Sequence, residues 1–399
     1  MATNDMVIEA EGLGRRYRSV LALSDIDIEI GVGEIVGLVG PDGAGKTTLL
    51  QLFAAILDPS EGRCQVLGHD TVNEAAQITS KIGYMAQGFT LYDRLTVAEN
   101  LSFAAKIRGV PGGDYMARRR RLLDMTGLTP FLDRREGALS GGMRKKLALC
   151  ANLIHEPPLL LLDEPGLGVD PLSRRELWQI LDDFRSEGAT IVLSTSYMDE
   201  ADRCDRVAFL DRGRLMALGR PDELRAQAKG LVHSIVSDRP AEAEAALHGM
   251  AGVLGIQWRA DSVRFVMKPG ADISQDEKAR MDALGQLALA EPGMEDVFTI
   301  LRGDESVPGE AETAVATRPA ARAATGKTGE IATKGLTRRF GDFVAVGDVT
   351  LTIAPGEIFG LLGANGAGKT TLIRMLCGLL PPSSGSATVA GVEVTSDQG

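Results

Sequence analysis

The 399-residue sequence predicts an α/β protein with one complete domain, a small α+β appendage and the first part of a duplicate of that domain. Apolar strand-like runs alternate with helical patterns over residues 1–225, as they do in α/β units. A glycine-rich segment that ends in lysine lies between one such run and a helix. The same pattern returns at Lys369 after its first occurrence at Lys46, an offset of 323 residues (369 − 46). A repeat this long indicates duplicated domains, because solenoid repeats span about 20–50 residues.

The composition excludes several classes of protein. Hydrophobic residues make up 44% of the chain, which excludes disorder as its global state. The net charge is −11, so we expect no nucleic-acid partner. Four cysteines and four histidines are dispersed without paired spacing, which favours a reducing compartment over a disulfide scaffold or a cysteine metal site. No secretory signal and no run of about 18 apolar residues is found, so we expect any membrane role to come through a partner.

The first chemical motif is the segment GPDGAGKTT at residues 40–48, which follows the apolar run Ile35–Val39 and precedes a helical pattern. It matches the pattern G-x-x-x-x-G-K-[ST]. Its glycines let successive backbone N–H groups turn toward one anion, and the helix N-terminus adds a partial positive charge. We expect Lys46 to neutralise the outer phosphates of a nucleotide and the Thr47 hydroxyl to ligate Mg²⁺. The alternative is a glycine-rich turn without a ligand, and the second occurrence of the motif disfavours it.

The second motif is an acidic pair at the end of a strand. Leu159–Leu162 are four consecutive apolar residues, which is typical of a strand buried on both faces. Asp163 and Glu164 follow at the carboxyl end, where open α/β sheets bind ligands. We expect Asp163 to hold Mg²⁺ through water and Glu164 to orient and deprotonate an attacking water. On its own, the pair could equally be an acidic turn after a strand.

The third motif, LSGGM at Leu139–Met143, places a serine and two glycines at the start of a helix. That arrangement suits an anion, although taken alone it could be an ordinary helix N-cap. Two capping boxes, Thr96–Glu99 and Ser173–Glu176, predict the starts of two further helices.

Taken in order, these motifs resemble those of the ATP-binding cassette (ABC) proteins over residues 7–225. The resemblance adds Tyr17 as the aromatic residue on adenine, Gln87 as a contact of the metal and the water, and Asp170 at the end of the D-loop. It implies a mixed core sheet with an antiparallel β subdomain and a helical subdomain, and it implies ATP and Mg²⁺ as cofactors. It also implies a head-to-tail cassette dimer, in which the signature Ser140–Met143 of one cassette closes over ATP on the other. Hydrolysis would then drive a separate integral-membrane permease, with the chain in the cytoplasm on the inner face of the cell membrane.

The closer resemblance is to the tandem-cassette subunits of bacterial drug-efflux-type ABC exporters, and it covers essentially the whole chain. Ser194–Asp202 and Glu295–Phe298 resemble segments of that group. The predicted domains are a complete cassette (1–225), a small α+β appendage (226–302), a flexible linker (303–330) and the N-terminal part of a second cassette (331–399). Two alternatives remain open from the sequence: a two-cassette protein that acts on the ribosome, and a nucleotide-binding regulatory module that does not hydrolyse ATP.

The sequence departs from the ABC pattern at two places. Most cassettes carry histidine at the position of Ser196, and a serine hydroxyl cannot carry the charge of an imidazolium. We therefore expect the site built on Lys46 to bind ATP and hydrolyse it poorly, while the signature serves a site built on Lys369. The second copy has no counterpart of Gln87, of the signature or of the acidic pair before Gly399. We expect it to bind ATP weakly and to be less stable than the first.

The predicted site residues fall into three groups. The predicted catalytic residues are Glu164, Ser196 and Gln87. The predicted metal ligands are Thr47, Gln87, Asp163 and Thr370. The predicted ATP-binding residues are Tyr17, Gly40, Pro41, Asp42, Gly43, Ala44, Gly45, Lys46, Thr47, Thr48, Ser140, Gly141, Gly142, Met143, Asp170, Phe340, Gly363, Ala364, Asn365, Gly366, Ala367, Gly368, Lys369, Thr370 and Thr371.

Overall fold

The computed structural model describes residues 6–88, 91–259, 262–303, 329–364 and 366–394. Most of the predicted linker and the predicted site residue Asn365 lie outside these residues. The chain divides into two compact units. One unit has the bounds Met1–Leu139, Arg144–Leu167 and Glu176–Ser306, and the other has the bounds Ser140–Met143, Gly168–Arg175 and Val307–Gly399.

The first repeat alternates strands and helices, as the sequence predicts. Its strands are β1 (Met6–Tyr17), β2 (Val20–Gly31), β3 (Ile35–Val39), β4 (Glu61–Val66), β5 (His69–Asp70), β6 (Ile82–Met85), β7 (Leu159–Asp163), β8 (Thr190–Thr195), β9 (Arg206–Asp211) and β10 (Arg214–Gly219). Its helices are α1 (Lys46–Phe53), α2 (Ala75–Lys81), α3 (Val97–Ile107), α4 (Gly112–Thr126), α5 (Gly141–Leu153), α6 (Pro171–Ser186), α7 (Met198–Ala201) and α8 (Pro221–Gln227), with short 3₁₀ turns at Thr129–Phe131 and Glu136–Ala138.

These strands form two sheets. An antiparallel sheet has the order β2-β1-β4-β5, and a mixed sheet has the order β10-β9-β3-β8-β7-β6, in which only β10 pairs antiparallel with its neighbour. Every residue of β3, β7 and β8 is buried, because parallel strands are covered on both faces. The mixed core sheet, the antiparallel β subdomain and the helical segments α3–α5 confirm the predicted cassette fold.

The sheet places the functional motifs at one edge. Strands β3 and β7 both pair in parallel with β8, so their carboxyl ends meet at the same edge of the sheet. Helix α1 follows β3 and buries Leu49, Leu50 and Phe53, which pack in the same core cluster as Leu161 of β7. This packing fixes the start of α1 beside the end of β7.

The two capping predictions have different outcomes. The capping box at Thr96 and Glu99 is present, with Thr96 Oγ1 accepting from the Glu99 amide at 3.1 Å. The prediction of a capping box at Ser173–Glu176 is wrong. Helix α6 begins at Pro171, and the preceding Asp170 accepts the Ser173 amide at 3.1 Å. The carboxylate of Asp170 also accepts the Ser173 hydroxyl at 2.9 Å. Asp170 therefore caps the helix that follows the D-loop.

The appendage has its own small core. Its elements are β11 (Val232–Val236), α9 (Pro240–His248), β12 (Val253–Trp258), β13 (Ser262–Met267), α10 (Gln275–Leu284), β14 (Gln286–Leu289) and α11 (Met294–Arg302). Its antiparallel sheet has the order β12-β13-β11-β14 and packs Phe265, Met281 and Leu247 into one cluster. The predicted boundary at residue 225 falls inside helix α8.

The second repeat reproduces the antiparallel sheet of the first. It contains β15 (Ile331–Phe340), β16 (Phe343–Ile353), helix α12 (Lys369–Leu376), β17 (Ser384–Val389) and β18 (Val392–Glu393). The sheet order β16-β15-β17-β18 matches β2-β1-β4-β5. The guanidinium of Arg338 lies 4.8 Å from the ring of Phe340, and that of Arg15 lies 4.9 Å from the ring of Tyr17. The duplication therefore extends to side-chain contacts.

Candidate ATP site

The glycine-rich loop folds back onto its own lysine. Lys46 Nζ donates to the carbonyl of Gly40 at 2.7 Å and to that of Pro41 at 3.2 Å. Gly45 has a φ of 104°, in the left-handed region that favours glycine, and it directly precedes α1. A Cβ atom on Gly40 would lie 2.1 Å from the backbone oxygen of Leu210. Close packing therefore leaves no room for a side chain at Gly40, and the backbone conformation of Gly45 favours glycine.

The fully buried carboxylate of Asp163 is suited to a hydrated Mg²⁺. Its Oδ1 accepts the Thr47 hydroxyl at 3.1 Å and the Ser194 hydroxyl at 2.6 Å. Its Oδ2 has no hydrogen-bond partner among the described residues, although it is buried. An unpartnered buried carboxylate oxygen next to a threonine hydroxyl is a donor set that Mg²⁺ accepts. Thr47 and Asp163 are thus brought together as the sequence predicts.

The lysine, the glutamate and the serine form one contact network. Lys46 Nζ lies 3.2 Å from Oε1 of Glu164, and both side chains are only 5% exposed. Ser196 Oγ accepts from Lys46 Nζ at 2.9 Å and donates to Glu164 Oε1 at 2.8 Å. Glu164 has a φ of 48°, which is uncommon for a residue with a side chain and is typical of strained functional positions. The structure therefore joins Lys46, Glu164 and Ser196 at one point.

A cavity of about 560 Å³ opens beside this network. Gln87 and Glu164 lie on its wall with residues 41–48 of the loop. Tyr17 is not among the described residues that line it; the Arg15 guanidinium lies 4.9 Å from its ring, and the residue is 39% exposed. The lining residues that the sequence analysis missed are Val20, Leu21, Ala22, Arg212 and Gly213. Arg212 and Gly213 form the β9–β10 turn, which a sequence pattern can identify as a turn but cannot place beside a nucleotide.

Ser194 is a further residue of the site that the sequence analysis missed. Its hydroxyl donates to Asp163 Oδ1 and accepts the amide of Glu164 at 2.9 Å, so it contacts both members of the acidic pair. It is fully buried on β8, one strand away from the pair. Only the register of β7 with β8, which places Asp163 opposite Ser194, reveals this contact.

The signature loop is closely packed. Ser140 Oγ accepts the amide of Met143 at 3.3 Å, which is the geometry of a helix N-cap at the start of α5. A Cβ atom on Gly142 would lie 2.8 Å from Ser173 Oγ and 3.6 Å from Asp170 Oδ2. The structure therefore brings the signature loop next to Asp170. Both belong to the compact unit that does not contain Lys46.

The second glycine-rich loop repeats the lysine contacts of the first. Lys369 Nζ donates to the carbonyls of Gly363 at 2.6 Å and Ala364 at 2.7 Å. Gly368 has a φ of 87° and precedes α12 as Gly45 precedes α1. Residues 358–362, the counterpart of β3, form no strand. Their strand partners would correspond to β8 and β9, which have no counterpart within 331–399.

Comparison with known proteins agrees with this geometry. The glycine-rich loop, the acidic pair, the signature loop and the mixed sheet are those of an ATP-binding cassette ATPase. The family model of the ABC transporters matches residues 23–166 and 346–399. The chain is 41% identical over 406 residues to the probable multidrug ABC transporter ATP-binding protein YbhF of Escherichia coli K12, covering 99% of this chain and 69% of that protein. It is 33% identical over 309 residues to the daunorubicin resistance ATP-binding protein DrrA3 of Streptomyces coeruleorubidus, covering 75% of this chain and 97% of that protein. The chain belongs to the ABC transporter family as an ATP-binding protein.

Solved structures support the same assignment. The structure of cbiO1 from Clostridium perfringens, described as part of the ABC transporter complex cbiONQ, aligns with a TM-score of 0.52 at 31% identity, over 56% of this chain and 92% of that chain. A dimeric cassette in a post-hydrolysis state with ADP and phosphate aligns with a TM-score of 0.50 at 26% identity, over 53% of this chain and 98% of that chain. The predicted family and ATPase class are confirmed. The ribosomal alternative gains no support from these relatives.

Proposed function

We propose that this chain hydrolyses MgATP to energise a separate membrane permease that exports drug-like molecules, and that it works in the cytoplasm against the inner face of the membrane. The names of the multidrug and daunorubicin-resistance relatives support the substrate class. No helix within the described ranges is long and apolar enough to cross a membrane. The predicted division into a cassette (1–225), an appendage (226–302), a linker (303–330) and part of a second cassette (331–399) belongs to this proposal.

The single observation that carries the proposal is the network of Lys46, Glu164 and Ser196 beside the cavity. Bound Mg²⁺ would be held by Thr47 and the free oxygen of Asp163, and it would supply charge neutralisation to the phosphates. Phosphate binding draws the Lys46 ammonium toward the anion and away from Glu164. The Glu164 carboxylate is then available to accept a proton from the attacking water, with Gln87 on the cavity wall to position that water.

Turnover at this site is proposed to be slow. Ser196 stands where most cassettes carry histidine, and its hydroxyl already bridges Lys46 and Glu164. A neutral hydroxyl adds no positive charge beside the developing negative charge on the phosphate. The signature Ser140–Met143, with Asp170, is proposed to complete a site on a second cassette in a head-to-tail dimer, together with the Lys369 loop and its Thr370.

A groove with exposed aromatic and aliphatic side chains on its wall supports a permease as the partner. The groove measures about 180 Å³, and Tyr92 and Phe103 line it with ring centres 4.7 Å apart. Ile107 also lines it and is 67% exposed. The groove lies between α3 and the end of α5, close in sequence to the segment that follows Gln87. Exposed apolar side chains in a groove are a surface on which the apolar face of a partner's helix can bind.

Co-purification with a candidate permease tests the proposed function. Ile107→Glu should weaken co-purification, and Met116→Glu provides the control because Met116 is 55% exposed on α4 and does not line the groove. Cells that express the chain and the permease should accumulate less daunorubicin than cells that express the permease with Glu164→Gln. Co-sedimentation of the chain with ribosomes, or equal drug accumulation in the two strains, would overturn the proposal.

A further inference from the structure

A lysine from the signature helix reaches the backbone of the hydrolytic site. Lys145 of α5 is only 6% exposed, and its Nζ donates to the carbonyl of Gln87 at 3.1 Å and to that of Glu164 at 3.3 Å. All three residues lie in the same compact unit. One ammonium therefore joins the signature helix to the backbone of two predicted catalytic residues.

The two carbonyls occupy equivalent positions in the sheet. Strands β6 and β7 pair in parallel, with Met85 opposite Leu162. Gln87 and Glu164 each lie two residues past that pair, where the strands end and the hydrogen-bonded ladder stops. The Lys145 ammonium lies between the two segments that follow these strands and donates a hydrogen bond to each of them. Glu164, the residue whose carbonyl accepts one of these bonds, has its backbone in the left-handed region.

A buried ammonium is costly, so its presence needs a compensating role. Burial lowers the pKa of Lys145, and the negative charges of Asp163 and Glu164 act in the opposite direction. A methionine would fill the same volume without the desolvation cost. Helix packing alone therefore does not account for a lysine here.

We propose that Lys145 is a positioning residue: it fixes the backbone of Glu164 relative to Gln87 and makes both depend on the placement of the signature helix. A shift of α5 moves the Lys145 ammonium and, with it, the carbonyls of Gln87 and Glu164. The Glu164 carboxylate is then correctly placed for the attacking water only when the signature helix lies where Lys145 contacts both carbonyls. The inference rests on the proposed hydrolysis at the Lys46 site.

The next residue on the same helix provides a matched control. Lys146 is also largely buried, with 13% of its side chain exposed, and its Nζ contacts Glu176 and the carbonyl of Thr126. Neither Glu176 nor Thr126 is among the described residues that line the cavity. Lys146→Met therefore removes a largely buried ammonium that makes no contact with the backbone of Gln87 or Glu164.

Two readouts test the positioning role, steady-state phosphate release and amide hydrogen exchange. Lys145→Met should lower kcat about tenfold or more while the KM for ATP stays within about twofold, because misplacement of the general base affects the chemical step. Lys145→Gln, which keeps an N–H donor, should recover part of the loss, and Lys146→Met should keep kcat within about twofold of the wild type.

Hydrogen exchange separates this inference from the proposed function. In the Lys145→Met protein, the peptide that covers residues 82–88 should exchange faster, while the appendage peptide over residues 232–236 should be unchanged. If the wild-type phosphate release does not depend on Glu164, the proposed function fails and the exchange result still decides the positioning role. The inference is overturned if Lys145→Met and Lys146→Met give the same exchange in residues 82–88, or if Lys145→Met keeps the wild-type kcat.

Discussion

Lys46 Nζ and Glu164 Oε1 lie 3.2 Å apart on the wall of the cavity, and both side chains are almost completely shielded from solvent. This pair places the proposed phosphate-binding cation in contact with the proposed general base. Each charge satisfies the other, which is how buried charges are tolerated in a folded protein. In the proposed mechanism, phosphate replaces Glu164 as the partner of Lys46, and this exchange would couple nucleotide binding to the release of the base.

Ser196→His should increase the rate of phosphate release several-fold, because an imidazole near Lys46 and Glu164 can donate to the phosphate and help to align the water. Ser196→Ala is the matched control, since it removes the hydroxyl and adds no donor. Steady-state phosphate release with MgATP measures both. A histidine variant no faster than the alanine variant would show that Ser196 does not limit turnover.

Gly40→Ala should disrupt the loop, since its Cβ would collide with the backbone oxygen of Leu210 at 2.1 Å. We expect a loss of about 1–3 kcal/mol of unfolding free energy and at least about tenfold weaker ATP binding. Gly88→Ala is the control, because no described atom lies within 4 Å of a Cβ built there. Thermal melting and titration with a fluorescent nucleotide measure the two effects. Equal melting temperatures for the two variants would contradict the packing argument.

His155 should make the fold less stable in mild acid. Burial, with Arg108 nearby, lowers the pKa of His155 to about 4, so the folded chain keeps the ring neutral where the unfolded chain protonates it. The unfolded state binds more protons between about pH 6.5 and pH 4, and stability therefore falls as the pH falls through that window. Between pH 7.5 and pH 5.0 we expect a loss of about 1–2 kcal/mol from this residue.

Urea denaturation of His155→Gln at both pH values measures this contribution. The glutamine amide can still donate to the carbonyl of Ile82, which accepts from the histidine ring at 3.1 Å. His248→Gln is the control, because His248 is 53% exposed. If the wild type and His155→Gln lose the same free energy between the two pH values, the account of His155 is wrong.

The second repeat should unfold and be cleaved before the first. Its buried cluster is small and consists of Leu336, Val346, Leu372, Met375 and Ala387. Two apolar side chains of the β3 counterpart, Ile358 and Leu362, are 84% and 91% exposed. Limited trypsin digestion should therefore cut residues 331–399 before residues 1–225, and MgATP should protect residues 1–225. A protease-resistant C-terminal fragment that binds ATP tightly would contradict this expectation.

The sequence predicts those parts of the site that depend on local chain geometry. The loop around Lys46 and the strand before Asp163 are short segments whose conformation is set by their own residue types. A sequence motif is therefore enough to predict their local structure. The repeat offset predicts a second loop that ends at Lys369, and Lys369 contacts the carbonyls of Gly363 and Ala364 as Lys46 contacts those of Gly40 and Pro41.

The remaining parts depend on contacts between distant segments. Ser194 reaches Asp163 only through the register of two strands, and Lys145 reaches Gln87 and Glu164 only through the packing of a helix against strand ends. The prediction that Ser173 caps α6 is wrong, because Asp170, which precedes Ser173 in the chain, caps this helix. Such contacts carry no periodic signal in a single sequence.

Phosphate release by the wild type and by Glu164→Gln is the measurement that tests the central claim most directly, namely that ATP is hydrolysed at the Lys46 site with Glu164 as the base. The substitution preserves size and hydrogen bonding but removes the ability to accept a proton. We predict slow release by the wild type and a rate at least about a hundredfold lower for the variant, with ATP binding preserved. Equal rates for the two proteins would contradict the claim.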